Sequence, residues 1–192
     1  MLEFTNVSFS YGKKSVFKEF SFTLADREIL AVMGTSGCGK TTLLRLIAGL
    51  EKPTRESVIR STHQKIAYVF QEPRLFPWMT VRNNLRAVLG KDPESDAKID
   101  DVLQKVGLSD AAEQYPDELS GGMKSRVSLA RALLVDADLF LLDEPFAALD
   151  EELRESLGAL LREHIKARGA SAVLVTHQAS DAKAIADRVM TL

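Results

Sequence analysis

The sequence predicts an α/β fold: a mainly parallel sheet covered on both faces by helices, with a β-rich section at the N-terminus. Three observations carry this. Continuous apolar runs at residues 29–33, 139–142 and 172–175 have strand length and no polar face, the pattern of parallel strands buried on both sides. Helical stripes alternate with them, clearest over residues 151–168, where Leu153, Leu157, Leu160, Leu161 and Ile165 share one face. The N-terminal segments instead alternate apolar with polar residues, as strands with one wet face do.

Taken in order, Leu2, Phe4 and Val7 alternate with polar neighbours, and residues 16–24 form a second alternating run. Tyr11-Gly12-Lys13-Lys14 between them reads as a turn. The run 29–33 leads into glycine-rich sequence, and residues 41–48 then take helical spacing at Leu43, Leu44 and Ile47. Residues 66–70 read as another short buried strand. A loop follows in which Pro73 and Pro77 flank Arg74-Leu75-Phe76. Helices are expected over 81–89 and 95–106, and Pro116 to Gly122 is a breaker-rich loop opening onto a helix that ends near Leu134. After the strand at 139–142 comes the helix 151–168, which Gly169 stops. The strand 172–175 and a final helix over 178–186 complete the pattern. No internal repeat, low-complexity tract or linker interrupts it.

Composition narrows the function classes. A chain of 192 residues with 45 % hydrophobic and 27 % charged residues has the make-up of one soluble globular domain. A formal charge of −2 supplies no basic footprint, so no nucleic-acid partner is expected. Cys38 is the only cysteine, which excludes an internal disulfide and a cysteine-built zinc site and fits a reducing, cytoplasmic setting. The N-terminus lacks the basic and apolar regions of a signal peptide. No apolar stretch approaches the ~20 residues that cross a bilayer, so work at a membrane would require another chain to supply the membrane part.

Gly34-Thr35-Ser36-Gly37-Cys38-Gly39-Lys40-Thr41 fits G-x-x-x-x-G-K-[ST] between an expected strand and an expected helix. Glycines there let successive backbone N–H groups turn toward one anion, and the helix N-terminus adds partial positive charge. The pattern points to Mg·ATP: Lys40 reaches the β- and γ-phosphates and the Thr41 hydroxyl ligates Mg²⁺. Cys38 reads as a small residue filling a tight turn. Downstream, Leu139-Phe140-Leu141-Leu142 leads into Asp143-Glu144-Pro145. An acid ending a buried strand suits the metal, which assigns Asp143, and Glu144 is placed to polarise the attacking water. Leu119-Ser120-Gly121-Gly122 admits two readings: a second anion site at a helix start, or a helix with Ser120 as its ordinary N-cap.

These motifs together resemble the nucleotide-binding subunit of an ATP-binding-cassette (ABC) transporter, over nearly the whole chain and in the family's order. Gly34 to Thr41 is similar to the Walker A loop, with Thr42 beside it; Gln71 to the glutamine loop; and Leu119 to Gly122 to the signature motif. Leu139 to Glu144 resembles the Walker B strand, Ala148-Leu149-Asp150 the D-loop, and His177 after Thr176 the switch histidine. Tyr11 stands where the family stacks a ring on adenine. The resemblance implies a P-loop NTPase: a mainly parallel core sheet with an N-terminal antiparallel β-subdomain (1–70 with 135–192) and a helical signature subdomain (71–134), all in one domain of 192 residues. It further implies a head-to-tail dimer. Ser120, Gly121 and Gly122 of one subunit would then close over ATP on the other's Walker A loop, with Asp150 at the seam. Glu144 would be the catalytic base, His177 would contact the γ-phosphate, and Gln71 would touch Mg²⁺ or the attacking water.

The segment from Gln71 to Val81, QEPRLFPWMTV, is similar to importer subunits of the nitrate/sulfonate/taurine group, which work on the cytoplasmic face beneath separate permease chains and with a solute-binding protein. Leu75, Phe76, Trp78 and Met79 suit either permease docking or packing within the helical subdomain. Departures from the family pattern are Met123 in place of glutamine, Arg27 at a common turn glycine, and Thr54-Arg55-Glu56-Ser57 in place of a glycine turn. The strand pair before Gln71 looks abbreviated, and the chain ends at Leu192 just after the last expected helix, without the C-terminal elements of many relatives. Alternatives are a soluble non-transport ABC ATPase, which usually carries a coiled-coil insertion or second cassette not visible here, and a small-molecule kinase or GTPase, which the signature loop and His177 oppose. A third is an ATP-binding subunit whose hydrolysis Met123 weakens, since methionine lacks the amide's hydrogen bonds.

Overall fold

The computed structural model describes residues 1–54, 58–61 and 65–192, the stretch 58–61 by its backbone. The N-terminal alternation becomes a hairpin. β1 (Leu2–Tyr11) pairs antiparallel with β2 (Lys14–Leu24), from Leu2 opposite Leu24 to Tyr11 opposite Lys14. Gly12 turns the chain at φ 57°. β4 (Val58–Ser61) lies along the other side of β1, giving the order β2-β1-β4. Leu2, Phe4, Val7, Phe9, Phe17, Phe22 and Leu24 are buried, and register shifts beyond Phe4 accompany Asn6 at φ 51°, the mark of a bulge that twists the ribbon.

The second sheet has five parallel strands in the order β5-β6-β7-β3-β8. They are β3 (Ile29–Met33), β5 (Ile66–Val69), β6 (Leu139–Asp143), β7 (Ser171–Val175) and β8 (Arg188–Thr191). The three continuous apolar runs are its interior strands, as expected. β6 shows why both faces must be apolar: Phe140 and Leu142 join one core, Leu139 and Leu141 the other. At roughly 1.5–3 kcal/mol per fully buried large side chain, these four contacts alone outweigh any strand propensity.

Two expectations change at the sheet edges. β5 is an edge strand, with Ala67 and Val69 buried while Ile66 is exposed, so residues 66–70 alternate rather than being buried throughout. The chain also does not end at its last helix. β8 follows α6 (Ala179–Ile185) and pairs with β3, Leu30 opposite Arg188 through Met33 opposite Thr191. Its residues are mostly exposed, and it therefore lacks the apolar run by which interior strands are read.

The helices are α1 (Lys40–Ile47), α2 (Val81–Arg86), α3 (Ser95–Lys105), α4 (Gly121–Leu134), α5 (Glu151–Ala167) and α6. α2 is shorter than 81–89 because residues 87–89 turn toward Gly90 at φ 63°. α5 begins under the Asp150 cap, with Glu151 and Glu152 in its first turn, and stops before Gly169 at φ 64°. On its stripe Leu157, Leu161 and Ile165 are fully buried, with Leu153 and Leu160 at the rim.

One core gathers the face of the parallel sheet under α2 to α5; the other gathers the N-terminal sheet, α1 and the opposite face. Arg27 takes φ 61°, a backbone that glycine adopts without cost, which agrees with its place at a turn where glycine is common. Arg55, Glu56 and Ser57 lie outside the described residues, as do residues 62–64 of the expected abbreviated strand pair.

Candidate functional site

The loop 34–39 joins the C-terminal end of β3 to the start of α1. Two of its glycines are required by geometry. Gly39 has φ 111°, and a Cβ there would lie 2.7 Å from Val16 Cγ1 and 3.0 Å from Phe17 Cζ on β2. A Cβ on Gly34 would lie 2.7 Å from Cys38 Sγ. Hairpin and phosphate loop are thus packed backbone to side chain. No side chain caps α1, so its first amides are free for an anion. Lys40 is only 7 % exposed, and its Nζ donates to the carbonyls of Gly34 (2.9 Å) and Thr35 (3.0 Å). The ammonium is held at the loop by acceptors weaker than a phosphate.

At the end of β6, Asp143 is buried and accepts a 3.1 Å bond from Thr41 Oγ1. Burial pushes its carboxyl up from the usual range; the Thr41 bond pulls it down, and the like charge of Glu144 pushes it up again. A carboxylate in that state favours a cation beside it. Glu144 takes φ 47°, anchored by its N–H to the Val175 carbonyl at 2.9 Å. A non-glycine residue held at positive φ at a strand end stores backbone strain. Its Oε2 is 3.3 Å from Nδ1 of His177, which follows β7.

A cleft of about 230 Å³ gathers part of this set; Gly34, Thr35, Cys38, Asp143 and His177 are not among its lining residues. It takes in Ser36, Gly37, Gly39, Lys40, Thr41 and Thr42, and adds Tyr11, Gln71 and Glu144. Lys14 and Val16 line it too; the sequence marks Lys14 only as part of the turn at 11–14 and Val16 only as the start of the alternating run 16–24. Tyr11 is exposed, lies edge-on to Phe9, and donates to Glu51 Oε1 at 3.1 Å. Among the described residues no cluster of three or more His, Cys, Asp or Glu can hold a metal. Thr41 and Asp143 offer one hydroxyl and one carboxylate, which fits Mg²⁺, an ion that keeps several waters and takes its other ligands from phosphates.

Ser120, Gly121, Gly122 and Asp150 do not line this cleft. Ser120 caps α4, its Oγ accepting from the Met123 amide at 3.2 Å, and Asp150 caps α5 by accepting from the Leu153 amide at 2.9 Å. The two loops touch: a Cβ on Gly122 would lie 3.0 Å from the Ala148 carbonyl oxygen. They form one surface, with Ser120, Gly121, Ala148 and Asp150 exposed. Met123 is half-buried and packs on the larger core, which accounts for an apolar residue there.

In the loop after Gln71, Leu75 packs on the core while Trp78 (69 % exposed) and Phe76 stand out, ring centroids 5.6 Å apart. The fully buried Asn84 holds this loop. It accepts from the Phe76 amide at 2.8 Å and donates to the carbonyls of Phe76, Met79 and Thr80 at 3.0–3.1 Å. Nothing in the sequence singled it out. A larger cleft, about 620 Å³, lies between α3, α4 and α5 and contains none of the motif residues. Its cations are paired, Lys98 with Asp92, Lys105 with Asp101 and Arg168 with Asp136, so it offers no free charge to a phosphate.

Known proteins similar to this chain point to one family. A family model described as ABC transporter matches residues 17–147. The aliphatic sulfonates import ATP-binding protein of Agrobacterium fabrum is 42 % identical over 192 residues, covering 98 % of this chain and 70 % of that protein. The Fe(3+) ions import ATP-binding protein of Haemophilus influenzae is 37 % identical, over 98 % of this chain and 58 % of that protein. Among solved structures, a dimeric ATP-binding cassette in a post-hydrolysis state bound to ADP and phosphate superposes with a TM-score of 0.90 at 28 % identity, covering 100 % of this chain and 94 % of that one.

Proposed function

This chain belongs to the ABC transporter family, and we propose that it closes head-to-tail on a second such subunit with ATP between them. It is the ATP-binding, ATP-hydrolysing subunit of an importer whose membrane passage is formed by separate permease chains. No described helix is long and apolar enough to cross a membrane. The observation that carries the dimer is the incompleteness of the cleft: Lys40, Thr41, Glu144 and Gln71 line it, while the exposed Ser120 and Asp150 lie outside it, their side chains capping α4 and α5.

In this reading Lys40 leaves the two loop carbonyls for the β- and γ-phosphates, a stronger acceptor at the same loop. Free amides at the start of α1 hold the phosphate chain, and Tyr11 offers its exposed ring to adenine. Thr41 and Asp143 would hold Mg²⁺, with Gln71 at its edge or at the water. Bound there, the ion would supply positive charge against the charge developing on the phosphates. Glu144 accepts a proton from the attacking water, and His177, 3.3 Å from it, is within reach of the same phosphate region. The partner's signature loop completes the electrostatic cage. Phe76 and Trp78, presented by the Asn84-braced loop, form the contact for the permease, which puts the subunit on the cytoplasmic face of the membrane. The solute is chosen elsewhere, by permease and solute-binding protein.

The test is Glu144→Gln. With Mg·ATP the variant is expected to run as a dimer in size-exclusion chromatography with light scattering, and as a monomer with ADP. A persistent monomer with ATP bound contradicts the shared site.

A further inference from the structure

Behind the loops just described lies a buried chain of polar contacts that none of the motif residues explains. Arg154, on the first turn of α5, donates from Nη2 to the Leu149 carbonyl at 3.0 Å. Its Nε stands 3.7 Å from Oδ1 of Asp181 on α6, and both atoms are buried without a hydrogen-bond partner among the described residues. The other carboxylate oxygen of Asp181 accepts from Thr176 Oγ1 at 2.8 Å, and that hydroxyl accepts from the Gln178 amide at 3.0 Å. Thr176 and Gln178 are the two neighbours of His177. Thr176 is also tied by its own amide to the Val32 carbonyl of β3 at 3.3 Å.

Energy argues against these groups being incidental. Asp181 is 6 % exposed, and an ion pair taken out of water gains little over apolar packing unless its geometry is good. Here it is not closed: 3.7 Å is longer than a hydrogen bond and too short for a bridging water. A cavity of about 60 Å³ beside Arg154 and Asp181 leaves room for the pair to shift. Such a contact contributes little rigidity by itself. What it does is join two loops, 148–150 and 176–178.

We propose that Arg154 and Asp181 are positioning residues for ATP hydrolysis, tying the exposed loop 148–150, where the second subunit would meet this one, to the loop that sets His177 beside Glu144. The proposal rests on the shared-site reading above. Displacement of the Leu149 carbonyl at the seam moves Arg154, closes or opens its contact with Asp181, and through Thr176 shifts His177 relative to Glu144. Neither residue lines the nucleotide cleft. Their loss therefore acts on turnover and not on ATP binding.

The experiment is steady-state ATPase kinetics of the full chain, well below its melting temperature. Compared are wild type, Asp181→Asn, Arg154→Gln and the double variant. Asp181→Asn keeps the shape and the acceptor for Thr176 but removes the charge facing Arg154. Each single variant is expected to lose about tenfold or more in kcat, with the KM for ATP within about twofold, and the double is expected to fall no further than the worse single, as residues acting as one unit do. A merely structural role predicts instead that folded, ATP-binding protein keeps its kcat, and that result overturns the proposal. Should Arg154→Gln fail to fold, Thr176→Val and Thr176→Ser decide: the hydroxyl-free variant must lose kcat and the serine must recover it, and equal rates overturn the proposal. If wild type hydrolyses no ATP, the ATPase reading fails first; if wild type hydrolyses and the variants match it, only the positioning role fails.

Discussion

Substituting Gly39 tests whether the β1–β2 hairpin and the phosphate loop are one packed unit. Gly39→Ala meets two obstacles. An alanine at φ 111° is outside the comfortable range of L-residues, at a cost of about 1–2 kcal/mol. Its Cβ would also lie 2.7 Å from Val16 Cγ1 and 3.0 Å from Phe17 Cζ, and overpacking of this kind costs about 1–3 kcal/mol. Together these give a loss of about 2–5 kcal/mol, or roughly 4–20 °C in melting temperature for a chain of this length. Calorimetry and urea titration measure the loss, and fluorescent ATP-analogue binding follows the loop. Val16→Ala in the same chain removes the nearer obstacle and leaves the backbone one. A double-mutant cycle should then return about 1 kcal/mol or more in the rescuing direction. A Gly39→Ala protein within about 0.5 kcal/mol of wild type, or a cycle with no coupling, refutes the packing argument.

Asp187 joins the start of β3 to α5 and β8: it accepts from the Ile29 amide at 2.9 Å and pairs with Arg162 and Lys166. Burial raises its pKa, but the bonds from Lys166, the Ile29 amide and Arg162 outweigh this and hold it at about 2. A depressed carboxylate stabilises above its unfolded pKa, and the gain disappears as pH falls toward the folded value. Asp187→Asn should thus lack about 2 kcal/mol of the stability that wild type loses between about pH 4 and pH 2, by urea titration across pH. Asp143 has the opposite sign: its raised pKa means the buried charge opposes folding increasingly as pH climbs past the unfolded value. Asp143→Asn should therefore melt higher than wild type at pH 7 without nucleotide or Mg²⁺ while losing Mg²⁺-dependent ATPase activity, and a lower melting point there counts against the electrostatic account. Trp78→Ala should leave stability within about 0.5 kcal/mol, as exposed positions do, and leave basal ATPase activity unchanged while weakening co-purification with the permease.

Interior strands were legible because burial on both faces leaves an unmixed apolar run, as in β3, β6 and β7, and α5 because its stripe, cap and stop all agree. Edge strands were not. β8 reads Arg188-Val189-Met190-Thr191 and is recruited by β3 through backbone bonds, which carry no side-chain signature; β5 is readable as a strand but not as an edge, for the same reason. The placement of Lys40, Thr41, Asp143 and Glu144 at strand ends is readable because the phosphate loop and the acid pair each follow an apolar strand; their roles remain those of the proposed function. The positive φ of Glu144, the brace at Asn84 and the Arg154–Asp181–Thr176 contacts depend on residues far apart in the chain, and no local spacing encodes them. Ser120 shows the opposite case: both of its sequence readings concern the same atoms, since the cap within the chain leaves the loop exposed for a second one.

We propose Glu144 as the base for hydrolysis in the cleft that Lys40 and Thr41 line. The most direct measurement is the steady-state ATPase rate of Glu144→Gln against wild type, with Mg·ATP saturating and ATP-analogue binding measured alongside. A loss of about 10²–10⁴-fold in kcat is expected, with ATP binding retained. Equal rates would contradict it.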